Sequence, residues 1–360
     1  MGLSRAFRKT RGPVLVLLAG VMLLLLSEGL VRLVDGGSHA SVPTVALPHS
    51  VFRLPVDLDI EVALPGAEPA RYRTDAGGAR ISPEAQSEPD SEILLVVGDS
   101  QALGWGIPHA ETFGARAADR LMAGEAAARL LAGPSTDPER ALYSLRGYIR
   151  DVRPTVGTAL FTINLGNDLE EMFLGRREPR LRRWQSLYET LKLNSHLFDR
   201  ATILLRGFES EDGYLPGINT ALLALSPAER VLLARGVVDI VRAAREESAA
   251  ERFIVVLIPN DYQYDTREFD KYRAQYDDPT LFETLQSNIP VMAAQMNTIH
   301  DYLRKSLRDE GMRVVDLLEH TDRLAPGRRL FDRYYHHIST EGHRILADAV
   351  IEAGGRNGDE

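Results

Sequence analysis

A serine stands directly after an apolar stretch that has the character of a buried strand. Five branched aliphatic residues occupy 93–97, and Gly98, Asp99 and Ser100 follow them. In open α/β sheets ligands bind just outside the carboxyl ends of the strands. A serine exposed there, with a helix predicted to follow near 111–123, suits a nucleophile whose transition state develops negative charge. The alternative interpretation is an Asp-Ser turn that only caps a helix.

Acyl transfer by a serine also requires a base and hydrogen-bond donors for the oxyanion. Near the C-terminus the chain offers His336, His337 and His343 as bases. Asn167, in a Gly-Asn-Asp triplet that follows the predicted strand 158–164, could supply a side-chain donor. Taken alone, each of these residues has an ordinary structural interpretation, as a core histidine or as a turn residue.

Four short blocks appear in order along the chain: Gly98-Asp99-Ser100 with Gly104, then Gly133, then Gly166-Asn167-Asp168, and finally the stretch from His337 to His343. Together they resemble the signature of the SGNH (GDSL) hydrolase superfamily. The resemblance implies that Ser100 is the nucleophile and His337 the base. It also implies an oxyanion hole made by the backbone N–H groups of Ser100 and Gly133 and the side-chain amide of Asn167.

One departure from the family pattern concerns the acid that orients the histidine. The family usually has an aspartate two or three residues before the histidine, and here those positions hold Tyr335 and Tyr334. Asp332 lies five residues before His337. We expect Asp332 to be the orienting acid, and a Ser-His dyad is the alternative.

The composition narrows the classes of function. The chain of 360 residues has no cysteine, which excludes disulfides, thiolate metal sites and a cysteine nucleophile. Its net charge is −9, and no basic stripe with interleaved aromatic residues points to nucleic acid. We therefore expect no nucleic-acid partner, no metal and no cofactor.

The N-terminus has the pattern of an export signal. Residues 1–12 are basic, and 13–34 are largely apolar apart from Glu28 and Arg32. A small-x-small cleavage site appears only at Ser38-His39-Ala40, too far downstream for a cleaved signal peptide. The pattern favours an uncleaved transmembrane signal anchor over 13–34, with 1–12 in the cytoplasm. It therefore predicts a single-pass protein of the inner, cytoplasmic membrane whose catalytic domain is extracytoplasmic.

The rest of the chain divides by composition into three parts. Residues 35–90 are predicted to be a linker with short irregular or β structure, 91–354 the hydrolase domain and 355–360 a tail. Within the domain, 169–227 interrupt the alternation of strands and helices with a run of arginines and aromatic residues. A long insertion at this edge is typical of a lid or binding loop. A solvated helix pair that completes the core is the alternative.

The domain alternates predicted strands and helices, which favours a parallel sheet with right-handed crossovers. The strands are predicted at 93–97, 128–132, 158–164, 253–258 and 312–316. The helices are predicted near 111–123, 138–150, 228–250, 290–309 and 340–353. The resemblance implies a flavodoxin-like, three-layer α/β/α fold with a five-stranded parallel sheet in the order 2-1-3-4-5.

Three functions fit these observations. The leading hypothesis is an exported, membrane-anchored serine esterase or deacylase that acts on an acylated small molecule, lipid or glycan. The second is an acyltransferase with the same site that modifies cell-envelope polysaccharide. The third is a non-catalytic binding domain on the same scaffold.

Overall fold

A computed structural model describes most of the chain. The described residues are 19–31, 33, 45–47, 51–62, 69–84, 91–122, 124, 127–134, 136–177, 195, 197, 225–275, 279–332 and 337–355.

The central element is one mixed sheet of eight strands. Its five parallel strands are β6 (Ile93–Gly98), β7 (Ala128–Ala132), β8 (Val156–Asn164), β9 (Arg252–Ile258) and β10 (Arg313–Asp316). They lie in the spatial order β10-β9-β8-β6-β7, which is the predicted order 2-1-3-4-5. The apolar runs that predicted these strands are buried along nearly their whole length, as parallel strands covered on both faces must be.

The prediction of a sheet with only five strands, all of them parallel, was wrong, because the sheet has eight strands and some of them pair antiparallel. Three more strands from the predicted linker extend the sheet beyond β7 with antiparallel pairing: β3 (Asp59–Val62), β4 (Ala70–Thr74) and β5 (Arg80–Ile81). The physical reason is that β7 would otherwise present an open edge, which folded proteins commonly cover. A separate two-stranded sheet joins β1 (Val45–Leu47) and β2 (Val51–Arg53).

Helices pack on both faces of the sheet. Successive residues of β6 alternate between two apolar clusters, because side chains on a strand point alternately to opposite faces. One cluster is completed by α4 (Pro138–Val152), α6 (Pro227–Ser248) and α8 (Pro279–Asp309), and the other by α3 (Phe113–Leu121) and α9 (Thr340–Gly355). The remaining helices described are 19–31 (α1), Ser100–Leu103 (α2), Asp168–Arg177 (α5) and Asp261–Tyr264 (α7).

Helix α8 begins eleven residues before the predicted start at 290. A proline normally lies in the first turn of a helix and interrupts the helix when it lies further inside. In the structure Pro290 lies inside the helix. Its flanks Ile289 and Met292 are buried in the core, and this packing maintains a helix that local preference alone would interrupt.

The predicted membrane anchor was wrong. Across the part of the chain that the structure describes, no helix has both the length and the apolar character needed to span a membrane. This finding contradicts the predicted span over 13–34 and the inner-membrane localisation derived from it. Glu28 interrupts the apolar run, and its carboxylate accepts hydrogen bonds from Ser195 Oγ at 2.8 Å and from the backbone N–H of Leu197 at 2.9 Å.

Two glycines on different helices provide a test of the packing. A Cβ added at Gly114 in α3 would lie 2.6 Å from a Val96 methyl group and 2.7 Å from a Leu130 methyl group. Gly114→Ala should therefore destabilise the fold by about 1–3 kcal/mol through overpacking. Gly147→Ala in α4, where no atom lies within 4 Å of the added Cβ, should stabilise it by about 0.5–1 kcal/mol. Denaturant unfolding of both variants measures the difference, and shifts of the same sign would contradict this packing.

Candidate active site

The turn after β6 positions Ser100. Gly98 is required at its start, because a Cβ there would lie 2.9 Å from Cβ atoms of both Ala102 and Thr162. Asp99 is the N-cap of α2, and its buried carboxylate accepts a hydrogen bond from the backbone N–H of Gln101 at 2.9 Å. Ser100 is the first residue of α2 and is partly exposed. The local sequence thus places a serine hydroxyl at the surface of the sheet's carboxyl edge.

The structure brings His337 to this serine. Ser100 Oγ and His337 Nε2 lie 2.9 Å apart, although the two residues are 237 positions apart in the sequence. His337 lies on the segment that leads into α9. The Trp105 ring lies nearly parallel to the imidazole, with 6.1 Å between the ring centroids and 9° between the planes. This geometry fits a hydroxyl whose proton an imidazole can accept.

Gln101 connects the serine turn to the histidine segment. Its side chain is buried, and its Oε1 accepts a hydrogen bond from the backbone N–H of Ile338 at 2.8 Å. The residue after Ser100 therefore fixes the backbone next to His337. Sequence reasoning missed this role, because the bond joins two segments whose contact no local pattern reveals.

Asp332 and His337 face each other across a short antiparallel pairing. Phe331 and Ile338 form the bridge, and the backbone N–H of Asp332 donates to the carbonyl of His337 at 2.8 Å. Residues that pair directly in an antiparallel register have their side chains on the same face. The register therefore places Asp332 and His337 on one side of this pairing. Tyr334, Tyr335 and His336 lie outside the described residues.

A chain of hydrogen-bonded side-chain amides links Asn167 to the turn that carries Ser100. Asn164 Nδ2 donates to Asp99 Oδ2 at 2.8 Å and to Asn167 Oδ1 at 2.6 Å. Asn167 Nδ2 in turn donates to Glu171 Oε1 at 2.9 Å. These bonds fix which end of the Asn167 amide carries nitrogen. An amide nitrogen has two hydrogens, so the bond to Glu171 leaves one for a ligand.

Several acids behind the site favour their protonated forms. Burial raises the pKa of Asp99 to about 6, and the hydrogen bond from Asn164 opposes that rise. Burial also raises the pKa of Glu171 to about 7, with Arg140 as the main opposing charge. The pKa of Asp168 is raised well above its usual range by burial and by the neighbouring charges of Asp99 and Glu171. Burial therefore makes each of these acids easier to protonate than an exposed carboxyl group.

Gly133 and His343 have different surroundings. Gly133 follows the last residue of β7 and is buried, and its N–H donates to the Gly98 carbonyl over a long distance of 3.4 Å. His343 is buried in α9, and its Nδ1 accepts a hydrogen bond from the backbone N–H of Phe113 at 3.1 Å. Burial lowers the pKa of His343 to about 3, so it is a neutral residue that joins α9 to α3.

The described residues contain no group of three His, Asp or Glu side chains that could hold a metal ion.

Comparison with known proteins gives distant structural similarities only. No family model and no curated protein matches the chain. Similar solved structures include a lipolytic protein of the G-D-S-L family from Veillonella parvula, with 11% identity over 74% of this chain and 100% of that one and a TM-score of 0.39. They also include an acetylxylan esterase from Geobacillus stearothermophilus, with 14% identity over 75% and 96% of the chains and a TM-score of 0.38.

A further similar structure is an alpha/beta hydrolase enzyme from the metagenome of Lake Arreo, with 13% identity over 75% of this chain and 98% of that one and a TM-score of 0.40. G-D-S-L proteins are the kind that the four sequence blocks resemble. Because all three TM-scores lie below 0.5, the activity of this chain must be argued from its own site.

The raised pKa of Glu171 predicts how the stability of the folded chain changes with pH. The folded-state pKa of about 7 exceeds the ordinary value of 4.5, so the folded chain binds this proton more tightly than the unfolded chain does. Below pH 4.5 the protonated Glu171 makes its full contribution to the free energy of unfolding. That contribution is lost as the pH rises through about 7. Glu171→Gln retains an acceptor for Asn167 and removes this loss, so the melting temperature of the variant relative to wild type should rise between about pH 5 and pH 8.

Glu139→Gln is the matched control, since it changes an exposed glutamate in the first turn of α4. Its difference from wild type should stay constant over the same range. Arg140, Asp137 and Asp99 act on Glu171, Glu171 acts in turn on Asp168, and all four stay unchanged in both variants. A pH-independent difference for Glu171→Gln would show that Glu171 is ionised throughout.

Proposed function

We propose that this chain is a serine ester hydrolase in which Ser100 is the nucleophile and His337 the general base. The observation that carries the proposal is the 2.9 Å contact between Ser100 Oγ and His337 Nε2. Both residues are partly exposed, at the sheet edge where ligands of α/β proteins bind. The four sequence blocks that resemble SGNH hydrolases support the same assignment.

The reaction has two steps that conserve atoms and protons. Ser100 Oγ attacks the carbonyl carbon of an ester while its proton passes to His337 Nε2. Collapse of the tetrahedral intermediate releases the alcohol, which takes that proton, and leaves an acyl group on Ser100. A water molecule, deprotonated by His337, then attacks the acyl carbon, and the carboxylic acid leaves as Ser100 recovers its proton.

The donors proposed for the oxyanion are the backbone N–H groups of Ser100 and Gly133 and the side chain of Asn167. Ser100 is the first residue of α2, so its N–H has no acceptor within that helix. The 3.4 Å bond from Gly133 N–H to the Gly98 carbonyl exceeds the usual range and is therefore weak enough to be replaced. The bonds from Asn164 and to Glu171 hold the Asn167 amide ready without reorganisation, which is the property that makes such donors effective.

A labelling experiment tests the proposed nucleophile. A fluorophosphonate probe should attach to Ser100 with loss of fluoride, and neither Ser100→Ala nor His337→Ala should react at a comparable rate. The loss in His337→Ala should be about a thousandfold, because the serine hydroxyl then lacks its base. Wild-type chain that does not react would support the non-catalytic alternative. Transfer of acyl groups to an added glycan, in place of release of free acid, would identify an acyltransferase.

The pairing of Asp332 with His337 leads us to propose Asp332 as the residue that orients the imidazole. Loss of such an acid from a complete triad lowers kcat by a factor of about 10⁴. If Asp332 has this role, Asp332→Ala and His337→Ala should lower kcat by similar factors, and the double variant should be little worse than either one. Steady-state kinetics on a soluble ester measures all three. Asp322→Ala, which changes an exposed acid shortly before this segment, is the control. A loss of about tenfold or less for Asp332→Ala would leave a Ser-His dyad.

A further inference from the structure

The largest side chain that is completely buried in the described residues belongs to Arg80, in strand β5. Among the described residues no carboxylate forms an ion pair with it or shifts its pKa. Burial lowers the pKa of its guanidinium, and Tyr72 opposes this effect. Burying a charge without an opposite charge is costly unless hydrogen bonds satisfy it. The contacts that satisfy Arg80 therefore indicate what its position achieves.

All hydrogen bonds that the Arg80 side chain donates go to the loop behind the nucleophile. Nη1 donates to the carbonyls of Leu103 at 2.8 Å and Gly104 at 3.0 Å, and Nη2 donates to the carbonyl of Ile107 at 2.7 Å. The planar fork of an arginine can hold several carbonyls in one fixed arrangement. Arg80 thus joins the beginning and the end of loop 103–107, which follows directly from α2.

Tyr72, in strand β4, holds the same loop from the neighbouring strand. The Arg80 guanidinium lies 3.8 Å from the centre of the Tyr72 ring, a cation–π contact. The Tyr72 hydroxyl donates to the Gly104 carbonyl at 3.2 Å and accepts a hydrogen bond from the Gly106 N–H at 3.0 Å. The two glycines that Tyr72 contacts are the residues on either side of Trp105.

The loop itself has little intrinsic preference for its conformation. Gly104 and Gly106 both have left-handed backbone angles, with φ values of 68° and 73°. Glycine permits these angles but does not enforce them, because it has no Cβ to restrict the backbone. Backbone hydrogen bonds from Gly104 to the Gln101 carbonyl and from Trp105 to the Ser100 carbonyl tie the loop to α2, and the contacts from Arg80 and Tyr72 hold it from outside. Trp105, between the two glycines, lies against the imidazole of His337.

We propose that Arg80 and Tyr72 are positioning residues that hold loop 103–107 so that Trp105 keeps His337 aligned with Ser100. This inference rests on the proposed function, since it assigns a role to His337 in catalysis. The antiparallel extension of the sheet is then part of the catalytic machinery. Its strands β4 and β5 act through the loop and the tryptophan, and neither Tyr72 nor Arg80 touches the reacting atoms.

Tyr72→Phe tests the proposal with little disturbance, because it removes one hydroxyl and retains the ring beneath Arg80. We expect kcat and the rate of fluorophosphonate labelling to fall by about tenfold, the effect of one buried hydrogen bond, with KM nearly unchanged. Tyr148→Phe is the matched control. Tyr148 is equally buried, and its hydroxyl donates to Asp75 at 2.7 Å, away from the loop. The control should lose stability without this loss of rate.

A double-variant cycle separates positioning from general destabilisation. If Tyr72 acts through Trp105, Tyr72→Phe should have almost no further effect on kcat in a Trp105→Ala background. If Tyr72→Phe lowers kcat by the same factor with and without Trp105→Ala, Tyr72 does not act through Trp105 and the proposal is wrong. Arg80→Lys, which keeps the charge but loses the fork, should resemble Tyr72→Phe and show the same lack of additivity.

A fluorescence measurement tests the loop without reference to catalysis. The chain contains two tryptophans, so Trp184→Phe leaves Trp105 as the only tryptophan, and excitation selective for tryptophan then reports on it alone. Acrylamide quenching of Trp105 should increase in Tyr72→Phe and stay unchanged in Tyr148→Phe. Unchanged quenching in Tyr72→Phe, or increased quenching with a wild-type labelling rate, would overturn the proposal. A failure of the proposed function is distinguishable, because the chain without substitutions at 72, 80 or 105 would then not label at Ser100.

Discussion

The hydrogen-bonding contact between Ser100 and His337 is the interaction on which the rest of the site depends. It joins the end of β6 to the segment before α9, and neither segment has a local reason to lie near the other. The contact is possible because β6 is buried on both faces and ends at the glycine that allows a tight turn. The bond from Ile338 N–H to Gln101 then fixes the histidine segment against that same turn.

The polar groups behind this contact show how the fold accommodates a site at the edge of an apolar core. Asp99, Asn164 and Asn167 are joined by hydrogen bonds, and several neighbouring acids have raised pKa values because they are buried. The raised pKa values reflect the cost of burying a carboxylate, and the hydrogen bonds from Asn164 and Asn167 offset part of that cost for Asp99 and Glu171. The same burial makes the network rigid, which is what a preorganised oxyanion hole requires.

The antiparallel strands give the sheet a second role beyond core formation. They cover the edge of β7, and they also carry Tyr72 and Arg80 to the loop that supports Trp105. A buried arginine held by carbonyls and a tyrosine ring costs more than an apolar residue of similar volume. That cost is reasonable where the arginine fixes a glycine-rich loop next to the histidine.

The sequence by itself determined the five parallel strands, and the resemblance of its four blocks to a known family implied their order and a site that contains Ser100 and His337. Continuous apolar runs such as 93–97 predict buried strands, because a strand covered on both faces must be apolar throughout. Only the tertiary structure revealed strands β3, β4 and β5 and the start of α8 before Pro290. It also decided that no helix of the described residues spans a membrane, and it revealed the contacts of Gln101 and Arg80. Each of these depends on contacts between distant segments. Short strands, a proline inside a helix and side chains that bind remote carbonyls leave no periodic signal, because their stability comes from their partners and not from their own sequence.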